Sequence, residues 1–144
     1  MIHAQNTKST LLIAPQAKTN SATASATYDT LGCDYATIVV NLASEINTNA
    51  VGPTLSLSEA ETSNATNFAT VTANRTAEDI TAAKQVIYQV DCRSRKRYLK
   101  LAVTTETTTN DNITVSASAI ASRLEQSPAS TSDQVASGSV VVVV

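Results

Sequence analysis

The side chains best suited to catalysis or metal binding are few and widely separated in this sequence. The single histidine is His3, and the two cysteines, Cys33 and Cys92, lie in neither a Cys-x-x-Cys nor a Cys/His spacing. Histidine catalysis and zinc binding both need such groups close together. With only three glycines, the chain also lacks the glycine-rich phosphate loops and the nucleophile elbow. The sequence therefore predicts a protein that is not an enzyme and has no catalytic residues, metal site or cofactor.

The carboxylates of Glu59 and Glu61, two residues apart in the sequence, are candidates for binding a cation. Calcium takes about six or more converging oxygens, so a solvated loop is the favoured interpretation. Sequence spacing does not decide whether two carboxylates form a glycosidase pair. The chain has one Phe and no Trp, so no aromatic platform for a sugar accompanies them.

The strongest charge feature is the basic run Arg93-Ser94-Arg95-Lys96-Arg97. Such a run attracts phosphate, forms a solvated turn whose charges discourage strand-edge pairing, or pairs with carboxylates of a protein partner. The formal net charge is −2 and no aromatic residue interrupts the run, so nucleic acid ranks last. We predict that Arg93, Arg95 and Arg97 bind a protein partner, and we keep the solvated turn as the alternative.

Composition indicates which elements position these residues. A chain of 144 residues is long enough for one domain with a core. Charged residues make up 15%, well below the usual share, and Ser, Thr and Asn replace them, so other proteins can cover the surface without burying many ions. No apolar run approaches the ~20 residues of a membrane helix, and we expect no secretory signal. Two free buried thiols fit a chain made in a reducing cytoplasm and are the favoured interpretation, with a Cys33–Cys92 pair as the alternative.

Alternating apolar and polar residues predict strands along most of the chain. The segments are Tyr35–Ala43, Thr54–Glu59, Phe68–Thr72, Val86–Asp91, Tyr98–Val103, Ile113–Ala121 and Val140–Val144. The last is a continuous Val run, which suits a strand covered on both faces. Thr76–Asp79 resembles a helix start with Thr76 as N-cap, with a loop as the alternative. Strands at this spacing predict an all-β fold, an antiparallel β-sandwich or jelly roll.

The first 27 residues differ in composition from the rest, and we predict a boundary there. Leu11, Leu12 and Ile13 are three consecutive aliphatic residues, followed by a stretch rich in Ala, Ser and Thr with too little apolar area to fold alone. A loose tail is one interpretation. The favoured one is an extended arm, residues 1–27, whose three aliphatic residues dock on a neighbouring subunit, while residues 28–144 form the sandwich.

The order of elements resembles that of small structural proteins encoded by tailed bacteriophages. The resemblance covers about residues 30–130 and rests on strand and turn patterns. The matching segments are Cys33–Val40, Leu55–Thr62, Asn67–Val71, Arg95–Leu101 and Ser122–Pro128.

The resemblance is to head decoration (cement) proteins, which are β-rich subunits on the capsid surface and often trimers. It implies a capsid-stabilising protein made in the host cytoplasm and located on the virion. The implied partners are the major capsid protein and copies of this chain as a homotrimer, with no nucleic acid and no membrane. A tail, neck or head-fibre component is the alternative within structural proteins. A carbohydrate-binding sandwich for host attachment is the alternative from another class.

Overall fold

Two packed β-sheets make up the described part of the chain. The structure is a computed structural model that describes residues 7–43, 51–72, 75–78, 83–105, 112–122 and 139–143. The strands are β1 (Thr7–Thr19), β2 (Thr23–Asp29), β3 (Tyr35–Leu42), β4 (Val51–Ala60), β5 (Ala69–Thr70), β6 (Arg75–Glu78), β7 (Lys84–Asp91), β8 (Tyr98–Thr104), β9 (Asn112–Ser122) and β10 (Ser139–Val143). The predicted all-β sandwich is confirmed.

The first sheet has the strand order β1-β9-β3-β7-β10. Its neighbours pair antiparallel, except that β10 runs parallel to β7. The predicted Val-rich strand is thus an edge strand of this sheet, with Val141 opposite Ile87. Strand β3 is paired on both sides, and its alternate residues Ala36, Ile38, Val40 and Leu42 face the core.

The second sheet has the order β2-β8-β4-β5, with β6 pairing a different part of β4. The chain alternates between the sheets, except that β5 and β6 stay in the sheet of β4 and β10 stays in the sheet of β9. Strands β1, β3, β7 and β9 thus belong to one sheet, and β2, β4 and β8 to the other. This arrangement of strands in two sheets is that of a jelly roll. The connections between strands of different sheets lie at the two ends of the sandwich. Residues far apart in the sequence therefore meet at these ends.

The core lies between the two inner faces. Leu55, Leu57, Leu99 and Leu101 on the second sheet are almost wholly buried. They pack in one cluster with smaller residues of β9 and with the ring of Tyr88. Alternation within each strand places these side chains inward and their neighbours along the strand outward.

The structure differs from the prediction for residues 7–27. Strand β1 pairs with β9 along the first sheet, and β2 pairs with β8 along the second. Strand β2 crosses the boundary predicted after residue 27, so the boundary does not separate two structural units. Low apolar content misled the prediction because an edge strand needs few buried residues when the neighbouring strand supplies most of the core contact.

A sharp corner joins these two strands. Asn20 and Ser21 have positive φ values of 43° and 61°, and Asn adopts this left-handed conformation more readily than most residues. The N–H of Ala22 donates to the carbonyl of Thr19 at 3.1 Å, and the N–H of Thr105 donates to that of Ala22 at 3.0 Å. The corner therefore carries the chain from the first sheet to the second.

The helix predicted at Thr76 is wrong, because Arg75–Glu78 is strand β6 and pairs with β4. The strand predicted at Phe68–Thr72 is confirmed only as the two-residue β5. His3 and the C-terminal part of the segments that carry the resemblance lie outside the described residues. Within the described residues, no helix has the length and apolar character needed to span a membrane.

Candidate interaction surface

The basic run follows the end of β7 and leads into β8. Cys92–Ser94 is a 3₁₀ turn, and the carboxylate of Asp91 caps it by accepting from the N–H of Arg93 at 3.1 Å. The same carboxylate accepts from Nε and Nη2 of Arg93 at 2.9 and 2.6 Å. Asp91 therefore fixes both the turn and the guanidinium, in the two-bond geometry that suits Arg and a carboxylate.

Arg97 is held in the same way by a carboxylate distant in sequence. Its Nε and Nη2 donate to the two oxygens of Asp29 at 2.9 and 2.7 Å. Asp29 ends β2, opposite Tyr98 at the start of β8. The pair therefore ties the ends of two neighbouring strands of the second sheet.

Both guanidinium groups also lie over aromatic rings. Arg93 is 4.8 Å from the ring centroid of Tyr35, and Arg97 is 5.0 Å from that of Tyr98. Such stacking adds to the orientation that the carboxylates impose. Two of the three arginines predicted to bind a partner thus already have carboxylates from their own chain.

Arg95 differs from its two neighbours. Its N–H donates to the carbonyl of Cys92 at 3.2 Å, and the next N–H, of Lys96, donates to Glu59 at 3.2 Å. Among the described residues, no ion pair is found for the side chain of Arg95. Glu59 thus contacts the backbone of the basic run, and no cluster of three metal-ligating side chains occurs in the described part of the chain.

The ion pairs lower the pKa of both carboxyl groups. Arg97 lowers the pKa of Asp29 from 3.8 to about 2, chiefly by hydrogen bonding to the ionised form. Arg93 lowers the pKa of Asp91 from 3.8 to about 2 for the same reason. The pKa of each arginine rises correspondingly. A carboxyl with a lowered pKa stabilises the fold above its unfolded pKa, and this contribution is lost as the pH falls towards the folded pKa.

We expect Asp29→Asn to remove part of the acid sensitivity of the fold. In the native chain, the contribution of Asp29 is fully present above about pH 4 and is lost towards its folded pKa of about 2. The pair is exposed, so the effect is small and is screened at about 1 M salt. Thermal unfolding followed by circular dichroism from pH 5 to pH 2 measures it. Equal pH profiles for both chains at low salt would contradict the role of Asp29.

The three predicted aliphatic anchors occupy three different environments. Leu11 is 65% exposed, Leu12 is partly buried against the core, and Ile13 is only 2% exposed. The pairing with β9 explains the difference. Leu11 lies opposite Ser118 and Ile13 opposite Ala117, so Leu12 is an extra residue in a β-bulge. A second irregularity, before Gln16, coincides with Pro15, which has no N–H to donate to the ladder.

The outward face of the first sheet carries Leu11 and Ile120, two of the three large aliphatic residues that are exposed in the described part of the chain. In register across β1, β9, β3 and β7 lie Leu11, Ser118, Val39 and Ile87. Ile120 is two residues further along β9, on the same face, and is 38% exposed. We call Leu11, Val39 and Ile120 the aliphatic patch. Sequence reasoning missed Val39 and Ile120 because strand alternation does not reveal which strands are neighbours.

Register also separates the arginines. Tyr35 and Asp91 lie opposite each other on the outward face of the first sheet, at the end of the rows that carry the patch. Arg93 contacts both of them, so it shares a face with Leu11. Arg97 contacts Asp29 and Tyr98, whose side chains project from the outward face of the second sheet. The structure therefore brings Leu11 together with Arg93 and places Arg97 on the opposite side.

Between the patch and Arg93, the outward face of the first sheet holds few charges. Asp91 is the only charged residue among the outward positions of β9, β3 and β7, and Arg93 pairs with it. The other outward positions on these three strands are Tyr35, Thr37, Val39, Asn41, Gln85, Ile87, Gln89, Asn112, Thr114, Ser116, Ser118, Ile120 and Ser122. A partner that covers this face desolvates little charge.

Neither a protein-family model nor a curated protein matches the sequence.

Proposed function

We propose that this chain is a non-enzymatic structural protein of a tailed-bacteriophage virion, which decorates the outer capsid surface and stabilises the head. The observation that carries the proposal is the nearly uncharged outward face of the first sheet, with Leu11 and Ile120 exposed on it. Exposed aliphatic residues on a face with few charges mark a protein–protein interaction site. The jelly roll is compatible with this role, since viral capsid proteins use it, although fold alone does not determine function.

The proposed mechanism is thermodynamic. A subunit that binds the assembled shell but not its separate parts stabilises the shell by mass action. Because many copies bind to one particle, the free energies of their contacts add up, and a weak contact from each copy is sufficient. The aliphatic patch supplies apolar contact, and Arg93, oriented by Asp91 and Tyr35, supplies a hydrogen-bond donor at the rim. The partners are the capsid protein and other copies of this chain.

A carbohydrate-binding role receives less support from the aromatic residues. Sugar-binding sites stack a ring of the sugar on an exposed aromatic face, but Tyr28 and Tyr88 are buried in the core. Arg93 and Arg97 cover the rings of Tyr35 and Tyr98. The last aromatic residue, Phe68, lies 5.3 Å from the ammonium group of Lys100. A glycan-array screen that returns specific binding would favour the carbohydrate alternative.

We expect Leu11→Asp and Ile120→Asp each to weaken attachment to capsids at least tenfold, because each buries an unpaired carboxylate in an apolar contact. The measurement is co-sedimentation of the purified chain with heads that lack it. Ser25→Asp is the matched control, since it adds the same charge to an exposed position on the opposite sheet.

Three results would contradict the proposal. The first is wild-type chain that fails to sediment with the heads. The second is equal binding by the patch variants and the control. The third is cryo-electron microscopy density for the chain in the tail or neck, which would support the alternative structural role.

A further inference from the structure

Two sheet-crossing segments meet at one end of the sandwich. Residues 30–34 join β2 to β3, and residues 92–97 join β7 to β8. The N–H of Thr30 donates to the carbonyl of Arg97 at 2.9 Å, and the hydroxyl of Thr30 donates to the same carbonyl at 2.7 Å. The N–H of Cys92 donates to the carbonyl of Asp34 at 2.8 Å. We call these two segments the loop junction. Each contains one of the chain's two cysteines.

Backbone pairing brings the two cysteines close together. Tyr35 and Asp91 are directly opposed in the β3–β7 ladder, and the bond between Cys92 and Asp34 continues that ladder by one step. Cys33 is the next residue along the chain. Opposed residues of an antiparallel pair have Cα atoms about 4.5–5.5 Å apart, within the range of about 4.4–6.8 Å that a disulfide takes. Cys92 faces Asp34 in this way, so Cys33 lies one residue from the position opposite Cys92.

The side chains converge on the same buried ring. Cys92 belongs to the core cluster, Cys33 packs against that cluster, and both thiols are free. Burial, and after it the nearby thiols of Cys33 and Cys92, raise the pKa of Tyr28, which is also in the core cluster, to about 12. Burial, and secondly the charge of Cys33, raise the pKa of Cys92 to about 11. The charge of Cys33 therefore acts on the Cys92 thiol, and both thiols act on the Tyr28 hydroxyl.

We propose that Cys33 and Cys92 form an intramolecular disulfide when the folded protein meets a disulfide oxidant, and that this bond fastens the loop junction. The bond would connect the two segments that cross between the sheets. It would also link the residues next to Asp34 with the 3₁₀ turn that carries Arg93, and so restrain the rim of the outward face described above.

The exchange proceeds in two balanced steps with oxidised glutathione as the oxidant. Cys33, the more exposed cysteine, loses its proton to solvent and attacks one glutathione sulfur. The glutathione disulfide breaks, one reduced glutathione leaves, and Cys33 carries the other half. Cys92 then loses its proton and attacks the sulfur of Cys33, which releases the second reduced glutathione. Two protein thiols are oxidised and one glutathione disulfide is reduced.

The disulfide closes a loop of about 60 residues and restricts the unfolded chain accordingly. For a chain of this length, we expect the Tm to rise by about 10 °C. Dithiothreitol should reverse the rise. This expectation holds whether or not the chain is a virion protein, since it concerns the isolated folded subunit.

The test treats the folded full-length chain with excess oxidised glutathione at pH 8. We expect the intact mass to fall by two hydrogen atoms, a peptide map to show Cys33 joined to Cys92, and the Tm to rise. Cys33→Ser and Cys92→Ala are the controls, and circular dichroism verifies that each is folded. Neither variant should show the oxidant-dependent rise in Tm.

Any of three results would overturn the proposal for the folded wild-type chain. Both thiols could persist at equilibrium with the oxidant, Cys33 could retain glutathione, or the chains could join through an intermolecular disulfide. A bridge that forms only after the protein is unfolded by urea would have the same consequence, because the geometry of the folded junction would then play no part.

Discussion

A chain that begins at residue 28 is expected to lose its cooperative fold. The truncation removes β1 and most of β2, which are edge strands of opposite sheets. It also removes the buried side chains of Ile13 and Ala24 from the core and exposes the long edges of β9 and β8. The stability of a domain is only about 5–15 kcal/mol, less than the contribution expected from two whole strands. Urea unfolding followed by far-UV circular dichroism measures the result.

The outcome distinguishes an integral pair of strands from an appended arm. If residues 28–144 unfold in one sharp transition with an unchanged β spectrum, then β1 and β2 are dispensable and the predicted boundary is restored. Leu11→Ala in the full-length chain is the control, because Leu11 is exposed and the substitution should change the free energy of unfolding by less than about 0.5 kcal/mol. The Leu11→Ala substitution leaves β1 and β2 paired with their neighbouring strands and shortens only one of the predicted anchor side chains.

Strand alternation made most of the sandwich predictable. In β3 and β8 every second residue is aliphatic or Ala, and the structure buries those residues and turns the others outward. The pattern depends only on the two-residue repeat of an extended chain. It can therefore be recognised in the sequence without knowing which strands pair with each other. A long-range pattern, such as the order β1-β9-β3-β7-β10, depends on contacts between distant segments and leaves no such local signal.

Strand β1 shows where local reasoning fails. Its inward positions opposite β9 include Thr10, Gln16 and Lys18, with Ile13 as the one fully buried aliphatic residue. An inward-facing charge near a sheet edge is a known way of preventing further strand pairing. The bulge at Leu12 then shifts the alternation by one residue, so three consecutive aliphatic residues that look equivalent in the sequence become exposed, half-buried and buried.

The candidate surface was only partly predictable for the same reason. The basic run is obvious in the sequence, but the carboxylate that binds Arg97 is 68 residues away, at Asp29. Arg93 instead pairs with Asp91, two residues before it, and the two arginines project on opposite faces. A cluster of like charges in the sequence is therefore not one binding site in three dimensions, and the anchor with most exposed apolar area is Leu11.

We expect Leu101→Ala to lower the free energy of unfolding by about 3–4 kcal/mol, a large share of the total. Leu101 is 1% exposed and lies opposite both Leu57 on β4 and Ala26 on β2. Removing three carbon atoms at the centre of the second sheet leaves a cavity, because paired strands on both sides prevent the core from closing around it. Urea unfolding at pH 7 measures the loss.

Two further variants make the result specific to the core. Leu31→Ala is the matched control, since Leu31 is 69% exposed and the same substitution should cost less than about 0.5 kcal/mol. The double variant of Leu57 and Leu101 should lose less than the sum of the single losses, because opposed side chains share one cavity. If Leu101→Ala and Leu31→Ala cost the same, the inner face of the second sheet is not packed against the first. In that case the outward face of the first sheet, which the proposed function requires, would not be defined either.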